Sequence, residues 1–538
     1  MLAGELPAEL SFSLDRPPQP QFGDFSTNAA LIASSRAQRK PREVAQQLVA
    51  ALGDVSGLCQ RVEIAGPGFI NFHLGPSWLH ELIATVLKNG ELSAGNLGQG
   101  QRVQVEFVSA NPNGPIHIGH GRGGVIGDVL ARVLAAAGYD VQREFYINDA
   151  AMSSQMVLFA QSLEVRYRQL CGEKVELPEN GYKGEYVIDL ARELLAEHGE
   201  TLRTLPGGER LAQFLELGKV KMLSWQRSTL SALGIEFDQW FSEQSLHDAG
   251  KVQEAIDRLR EGGYTTEADG ALWLKTTAFG DEQDRVLVRS NGVTTYLASD
   301  LAYHFGKCDR GFARSLDIWG ADHHGHISRM KAGLAAVGLD PDRLDVLLYQ
   351  IVRLFRDGVE VKVSKREGDI ITVSEVIEEV GVDATRFFFL MRSHDSRLDF
   401  DLDLAKKQSA DNPVYYVQYG HARICSILRE AEERTVGAAL SPDEVTLELL
   451  THPQEIALMR KLAELPNEIE LAAQRYEVHR LTRYATDLAA AFHGFYTECR
   501  VLGEAAALTA ARLALVRATQ LVLKQVLGLL GVGAPERM

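Results

Sequence analysis

The stretch from Val103 to Ala136 constrains this chain more than any other. Val103, Val105 and Phe107 alternate with polar residues as in a half-buried strand. Asn111-Pro112-Asn113-Gly114-Pro115 is a turn, and a helix opens near His120. A strand that feeds a helix through a short turn presents helix N–H groups at the carboxyl edge of a parallel sheet, where an anionic phosphate is well placed. His117 and His120 flank Ile118-Gly119, so Gly119 lets a nucleotide lie against the backbone while two imidazoles reach its phosphates. Taken alone, His-x-Gly-His is four common residues, and two histidines three apart are more often packing or solvent contacts.

The chain has 538 residues, enough for about three or four domains. Its apolar share of 45% and charged share of 24% are those of a soluble globular protein. No apolar run approaches the roughly 18 residues of a membrane span. The opening residues lack a basic head followed by an apolar segment, so the expectation is a cytoplasmic protein without a membrane role. Cys59, Cys171, Cys308, Cys425 and Cys499 are widely spaced and form no C-x-x-C pair, which favours reduced structural thiols over a zinc ribbon. The net charge of −16 argues mildly against nucleic acid as a partner. Residues 1–100 and 411–538 are nearly balanced, however, and acidic groups beyond a Debye length of about 8 Å do little to a local basic groove.

Ala110-Asn111-Pro112-Asn113-Gly114-Pro115-Ile116-His117-Ile118-Gly119-His120 resembles the first signature of class I aminoacyl-tRNA synthetases, and Glu106 to Pro112 resembles its arginyl-tRNA synthetase form. Far downstream, Lys362-Val363-Ser364-Lys365 resembles the second signature, Lys-Met-Ser-Lys, with Val363 in place of methionine. Basic and hydroxyl groups on one loop can close over a triphosphate and stabilise charge as pyrophosphate leaves. The resemblance implies an α/β fold: a Rossmann-like parallel-sheet catalytic domain, a small α+β N-terminal domain and an all-α C-terminal anticodon-binding bundle. The expected divisions are 1–95, 96–370 with a helical insertion at about 151–270, a connecting segment 371–410, and 411–538.

Along the chain, FGDFSTNAAL and GPGFINFHL resemble the family's N-terminal domain, where Phe69 and Asn71 match an aromatic ring and an amide that touch the tRNA elbow. Phe69 is equally suited to the core of its strand. Asn148 and Asp149 end the second strand and face the expected crevice. The sheet is expected to resume with ALWLKTTAF, RVLVRSNG and SLDIWGADHH, and LDVLLYQIVRLF reads as one buried strand. Tyr296 and Asp300 match positions that contact the arginine substrate, since a guanidinium fork asks for carboxylates at fixed angles. Asp300 could equally cap its own helix. Glu106, Ser109, Asn111 and, approximately, His324 complete the resembling arginine contacts.

Gly320 and Asp322 fall where the family lines its ATP site, together with Gly119, His117, His120, Lys362, Ser364 and Lys365. His323, His324 and His326 beside Asp322 invite a metal reading, but imidazoles so close in sequence cannot easily converge on one ion, and no metal site is expected. After Thr372 the chain reads as helical to its end. Tyr415, Tyr416 and Arg423 are candidate anticodon contacts, and Tyr419 could be core.

The implied reaction is activation of L-arginine with ATP and Mg²⁺ to arginyl-adenylate, then transfer to tRNA(Arg), with His117, His120, Lys362 and Lys365 as the catalytic set. The family also implies that tRNA must be bound before arginine is activated. A monomer is expected. A class I synthetase for another amino acid such as cysteine is disfavoured by the absence of a zinc-ligand set. A nucleotidyltransferase acting without RNA would have no use for the flanking domains.

Overall fold

The strand expected at Val103 forms over Arg102–Glu106 and has parallel neighbours on both sides. The computed structural model describes residues 12–17, 19–55, 57–150, 153–361, 371–434 and 445–538. In chain order its strands are β1 (Leu14–Asp15), β2 (Phe25–Thr27), β3 (Cys59–Ala65), β4 (Phe69–Leu74), β5 (Arg102–Glu106), β6 (Asp140–Ile147), β7 (Gln239–Ser242), β8 (Thr265–Ala268), β9 (Ala271–Leu274), β10 (Arg285–Val288), β11 (Arg314–Gly320), β12 (Leu344–Tyr349), β13 (Val352–Arg356), β14 (Val359–Glu360) and β15 (Leu398–Asp401). The helices are α1 (Ala29–Ala37), α2 (Pro41–Ala51), α3 (Ser77–Asn89), α4 (Ile118–Ala136), α5 (Ser154–Leu170), α6 (Glu185–His198), α7 (Gly207–Ala232), α8 (Glu243–Asp248), α9 (Lys251–Glu261), α10 (Tyr296–Asp309), α11 (His324–Ala336), α12 (Val373–Val380), α13 (Val382–Phe389), α14 (Leu402–Lys406), α15 (Pro413–Glu433), α16 (Pro453–Leu462), α17 (Leu465–Arg475), α18 (His479–Glu498) and α19 (Ala506–Leu530).

The chain divides into two units. The first takes residues 1–92, 424–464 and 490–522. Its antiparallel sheet, ordered β1-β2-β4-β3, packs Ile70 against Ala30, Ala33, Val44 and Ala45 of the two helices that cross it. Alternation along β4 sends Ile70 inward and leaves Phe69 exposed. In the helical part, α16 opens on His452, whose ring accepts the Gln454 N–H while Glu455 reaches back to the His452 N–H at 2.8 Å. Helix α19 is long and apolar enough to cross a membrane by composition, but 67% of its most apolar window is buried, and its Arg512 pairs with buried Glu455 at 2.7 Å. These are marks of a bundle helix.

The second unit takes residues 93–423, 465–489 and 523–538. Its five-stranded sheet runs β12-β11-β5-β6-β7, all parallel. The chain winds outward from β5 through β6 to β7, then returns to lay β11 and β12 on the other side. The order therefore reverses between β5 and β11, and side chains at the carboxyl ends of these strands look into a crevice. Helix α4 lies close on the sheet because its glycines permit it: a Cβ on Gly127 would stand 2.3 Å from the Phe107 ring, and one on Gly123 2.6 Å from Tyr349. Helices α5, α6 and α7 bury Phe159, Tyr167, Leu190, Phe214 and Met222 in a core of their own, as an insertion should.

Four expectations change. The main sheet resumes at β7, inside the stretch expected to be insertion. ALWLKTTAF and RVLVRSNG supply β9 and β10 of a separate antiparallel sheet ordered β10-β9-β8, because such short connections cannot make the crossover that a parallel neighbour needs. LDVLLYQIVRLF breaks at Gln350-Ile351, where the buried Arg122 guanidinium takes the carbonyls of Gln350 and Ser396 at 2.8 Å each, and β13 leaves for a small sheet with β14 and β15. Strand β15 interrupts the supposedly all-helical tail. Its Leu398 and Phe400 are buried while Asp399 and Asp401 are exposed, a two-residue period that the sequence carries.

Candidate active site

The signature turn is held by a strained backbone. Val108 and Ser109, neither a glycine, have φ of 68° and 41°. Such conformations cost on the order of 1–3 kcal/mol each and persist only where the surroundings fix them. Here they do. The Ser109 hydroxyl donates to Glu106 Oε1 at 2.9 Å and accepts the Tyr146 N–H at 3.2 Å, and the Asn148 amide donates to the Ser109 carbonyl at 3.2 Å.

Helix α4 then begins on His117 itself. Its Nδ1 accepts the N–H groups of Gly119 at 3.1 Å and His120 at 3.3 Å, and its ring stacks on that of His120 with centroids 3.7 Å apart. Two of the N–H groups expected to await a phosphate are therefore taken by the side chain of the N-cap residue. Because Nδ1 accepts, the neutral ring carries its proton on Nε2 and offers it as a donor. Gly119 is required by this arrangement as well, since a Cβ there would meet His117 Cε1 at 3.0 Å.

At the strand ends lies a cleft of about 1360 Å³. Ser109, Asn111, His117, Gly119 and His120 line it from the β5 side, Gly320 and Asp322 from the end of β11, and Tyr296 from the start of α10. The structure thus brings together every described residue expected at the ATP site. Lys362, Ser364 and Lys365 lie outside the described residues. The chain that follows them is seated on the first signature: the Ile118 N–H donates to the Ile371 carbonyl at 3.3 Å, the Val373 N–H to the Ile116 carbonyl at 2.9 Å, and His117 bridges Thr372.

The acidic pocket differs in detail from expectation. Glu106 is buried, and its Oε2 accepts from Lys307 Nζ at 2.7 Å, so an internal ammonium already pairs with it. Asp300 is partly exposed and accepts from His326 Nε2 at 2.8 Å. His326, not the expected His324, reaches Asp300, while His324 stands exposed at the first position of α11. Asn111 donates to Gln155 Oε1 at 2.7 Å across the cleft mouth. Asp149 is engaged within the protein by the Ser242 hydroxyl at 2.8 Å and the Gln244 N–H at 3.1 Å, so it braces the wall.

Sequence reading missed Glu243 and Tyr146. Glu243 follows directly on β7, lines the cleft and is buried. Burial, then the charge of Asp300, pushes its carboxyl up to about 7. The buried Tyr146 hydroxyl has no hydrogen-bond partner among the described residues and sits in the field of Glu243, Asp300, Glu106 and Asp149. Recognising Gln239–Ser242 as a parallel strand would have flagged Glu243, since the residue after such a strand faces the crevice.

The expected RNA contacts divide. Phe69 is exposed, but Asn71 is buried with its Oδ1 accepting the Ser26 hydroxyl at 2.7 Å, so this amide ties β2 to β4 and does not present an edge to a base. On α15, Arg423 is exposed, Tyr415 and Tyr416 are half-buried, and Tyr419 is 43% exposed with its ring parallel to that of Tyr415. Tyr419 is therefore not core. No group of three or more His, Cys, Asp or Glu side chains that could hold a metal occurs among the described residues.

Comparison with known proteins places this arrangement. The family model described as "tRNA synthetases class I (R), catalytic domain" matches residues 82–389, "Arginyl tRNA synthetase N terminal domain" matches 3–74, and "DALR anticodon binding domain" matches 417–538. The arginine–tRNA ligase of Heliobacterium modesticaldum is 51% identical over 533 residues, covering 98% of this chain and 94% of that protein. The arginine–tRNA ligase of Syntrophotalea carbinolica is 52% identical over 528 residues, covering 98% and 95%. The solved Thermus thermophilus arginyl-tRNA synthetase superposes with a TM-score of 0.77 at 25% identity, covering 98% of this chain and 96% of that one. The chain therefore belongs to the arginyl-tRNA synthetase family of class I tRNA synthetases.

Proposed function

We infer that this protein ligates arginine to tRNA(Arg) at the expense of ATP, and that both steps occur in the cleft at the β5–β11 switch point. The observation that carries the reading is the convergence there of the His117–His120 turn, Tyr296, Gly320, Asp322 and Glu243, with the charge of Asp300 acting on Glu243. In the first step an arginine carboxylate oxygen attacks the α-phosphorus of ATP, forming arginyl-adenylate and releasing pyrophosphate. In the second a terminal ribose hydroxyl of tRNA attacks the activated carbonyl and AMP leaves. No protein nucleophile takes part. The protein contributes by holding the reacting groups in line and placing donors where charge grows.

In this reading Nε2–H of His117 and the ring of His120 donate to the triphosphate, with Lys362, Ser364 and Lys365 assigned to the same task. Gly119 and Gly320 let the nucleotide approach the backbone. Tyr296, Asp300, Ser109 and Asn111 receive arginine, with Glu243 beside Asp300 and Glu106 behind them. Mg²⁺ bound with the nucleotide would neutralise phosphate charge, and Asp322, which lines the cleft, is the carboxylate that would help to hold it. Residues 96–370 form the catalytic part, 371–410 connect, and 1–95 and 411–538 bind tRNA, through Phe69 in the former and Tyr415, Tyr416 and Arg423 in the latter. The protein works in the cytoplasm as a monomer, away from membranes, and activates arginine only when tRNA is bound.

Arginine-dependent ATP–pyrophosphate exchange tests this directly. Exchange is expected with tRNA(Arg) present and little without it. Equal exchange in its absence overturns the tRNA requirement alone, whereas none in its presence overturns the functional assignment.

A further inference from the structure

Beneath the floor of the cleft lies a buried row of carboxylates. Asp317 on β11 is in register with Glu106 on β5, and Glu106 with Glu144 on β6. Neighbouring strands are about 4.8 Å apart, so the three acids stand side by side on one sheet face. All three are buried. Helix α10 and Arg310, which follows its last residue, cover them with a matching set of side chains: Arg310 and the Tyr303 hydroxyl bind Glu144, the latter at 2.6 Å, and His304 Nε2 lies 2.8 Å from Asp317. Lys307 donates to Glu106 at 2.7 Å and to Asp317 at 2.6 Å, and its ammonium is 4.4 Å from the centre of the Tyr303 ring.

Arg310 is committed to Glu144, so Glu106 and Asp317 share one ammonium, with His304 beside Asp317. The division between them is unequal. Burial would raise Asp317, but Lys307 and His304 outweigh it and hold it below the usual carboxylate range. Burial raises Glu106 despite Lys307. Lys307 Nζ holds both acids at once through separate N–H groups. The other Glu106 oxygen, Oε1, accepts from Ser109, which lines the cleft.

We propose that Lys307 is a positioning residue for arginine selection: it touches no substrate, and it keeps the Glu106 carboxylate charged and held against Ser109 in the cleft wall. This rests on the reading of Glu106 as part of the arginine pocket. The groups facing Glu106 are Lys307, His304 and Tyr303 on α10, Asp317 on β11, Glu144 and Tyr146 on β6, and Ser109 on its own strand's turn. Lys307 is the one permanent cation among them that bonds to it.

The test compares three variants in exchange assays with tRNA present. Lys307→Met leaves two adjacent acids sharing a proton, and the more easily protonated Glu106 loses its charge. The KM for arginine is expected to rise roughly tenfold to a hundredfold, the worth of a hydrogen bond to a charged group, with the KM for ATP unchanged and partial recovery as pH rises. Asp317→Asn gives Lys307 wholly to Glu106, so the KM for arginine should stay level or fall. Adding Lys307→Met to Glu106→Gln should produce no further rise. A purely structural role predicts that Lys307→Met and Asp317→Asn damage both KM values and kcat alike. A selective rise in arginine KM from Asp317→Asn, or an undiminished effect of Lys307→Met in the Glu106→Gln background, overturns the proposal. Should Lys307→Met fail to fold, the Asp317→Asn result decides alone. If Glu106→Gln itself leaves arginine KM unchanged, the pocket assignment falls and the proposal with it.

Discussion

Replacing His117 with asparagine should slow arginine-dependent pyrophosphate exchange about a hundredfold while leaving the melting temperature near that of the parent. His117 has two tasks that the two sides of its ring divide. Nδ1 caps α4 through the N–H groups of Gly119 and His120. Nε2–H is the donor assigned to phosphate. Asparagine is among the best N-cap residues, because its side-chain oxygen can accept from the same N–H groups, but it cannot extend a donor as far as the imidazole edge. Alanine removes both and should cost about 0.5–2 kcal/mol of stability besides the rate. Comparable rates with different melting temperatures for the two variants support the division. An active asparagine variant, or equal destabilisation of both, contradicts it.

The second large effect is expected at the acidic pocket. Asp300→Asn should raise the KM for arginine about tenfold to a hundredfold and leave that for ATP nearly unchanged, because the proposed role of this carboxylate is to meet the guanidinium and not the nucleotide. Glu243 adds a pH dependence. Its carboxyl, held at about 7 by burial and by Asp300, keeps a proton that the unfolded chain would release near the ordinary glutamate value of 4.5. The free protein therefore loses stability as pH rises between those values. A bound guanidinium reverses the preference by favouring the ionised form, so the KM for arginine should fall as pH rises from 6 to 8. Glu243→Gln should flatten that slope. A slope that survives this substitution assigns it to another group.

Much of this site was legible because its chemistry is local. The run from Glu106 to His120 contains strand, turn and cap in sequence, and the structure keeps them adjacent. Tyr296 and Asp300 lie one turn apart at the opening of α10, as their spacing implies. What escaped was non-local. Nothing near Lys307 in sequence announces that its ammonium reaches Glu106, 201 residues away. Glu243 was hidden because QWFS is too short to read as a strand without its neighbour β6. Asn71 matched an amide that the family presents to tRNA, yet here its side chain is buried and accepts the Ser26 hydroxyl on the adjacent strand. The separate sheet of β8, β9 and β10 was misplaced because strand pattern reports burial and not the partner.

The most direct test of the central claim is a crystal structure of the protein with a non-hydrolysable arginyl-adenylate analogue and tRNA. The account predicts the adenosine against Gly119, His120 and Gly320, and the guanidinium between Asp300 and Glu243 with Lys307 still bound to Glu106. A guanidinium that displaces Lys307, or an adenylate lodged away from the His117–His120 turn, would contradict it.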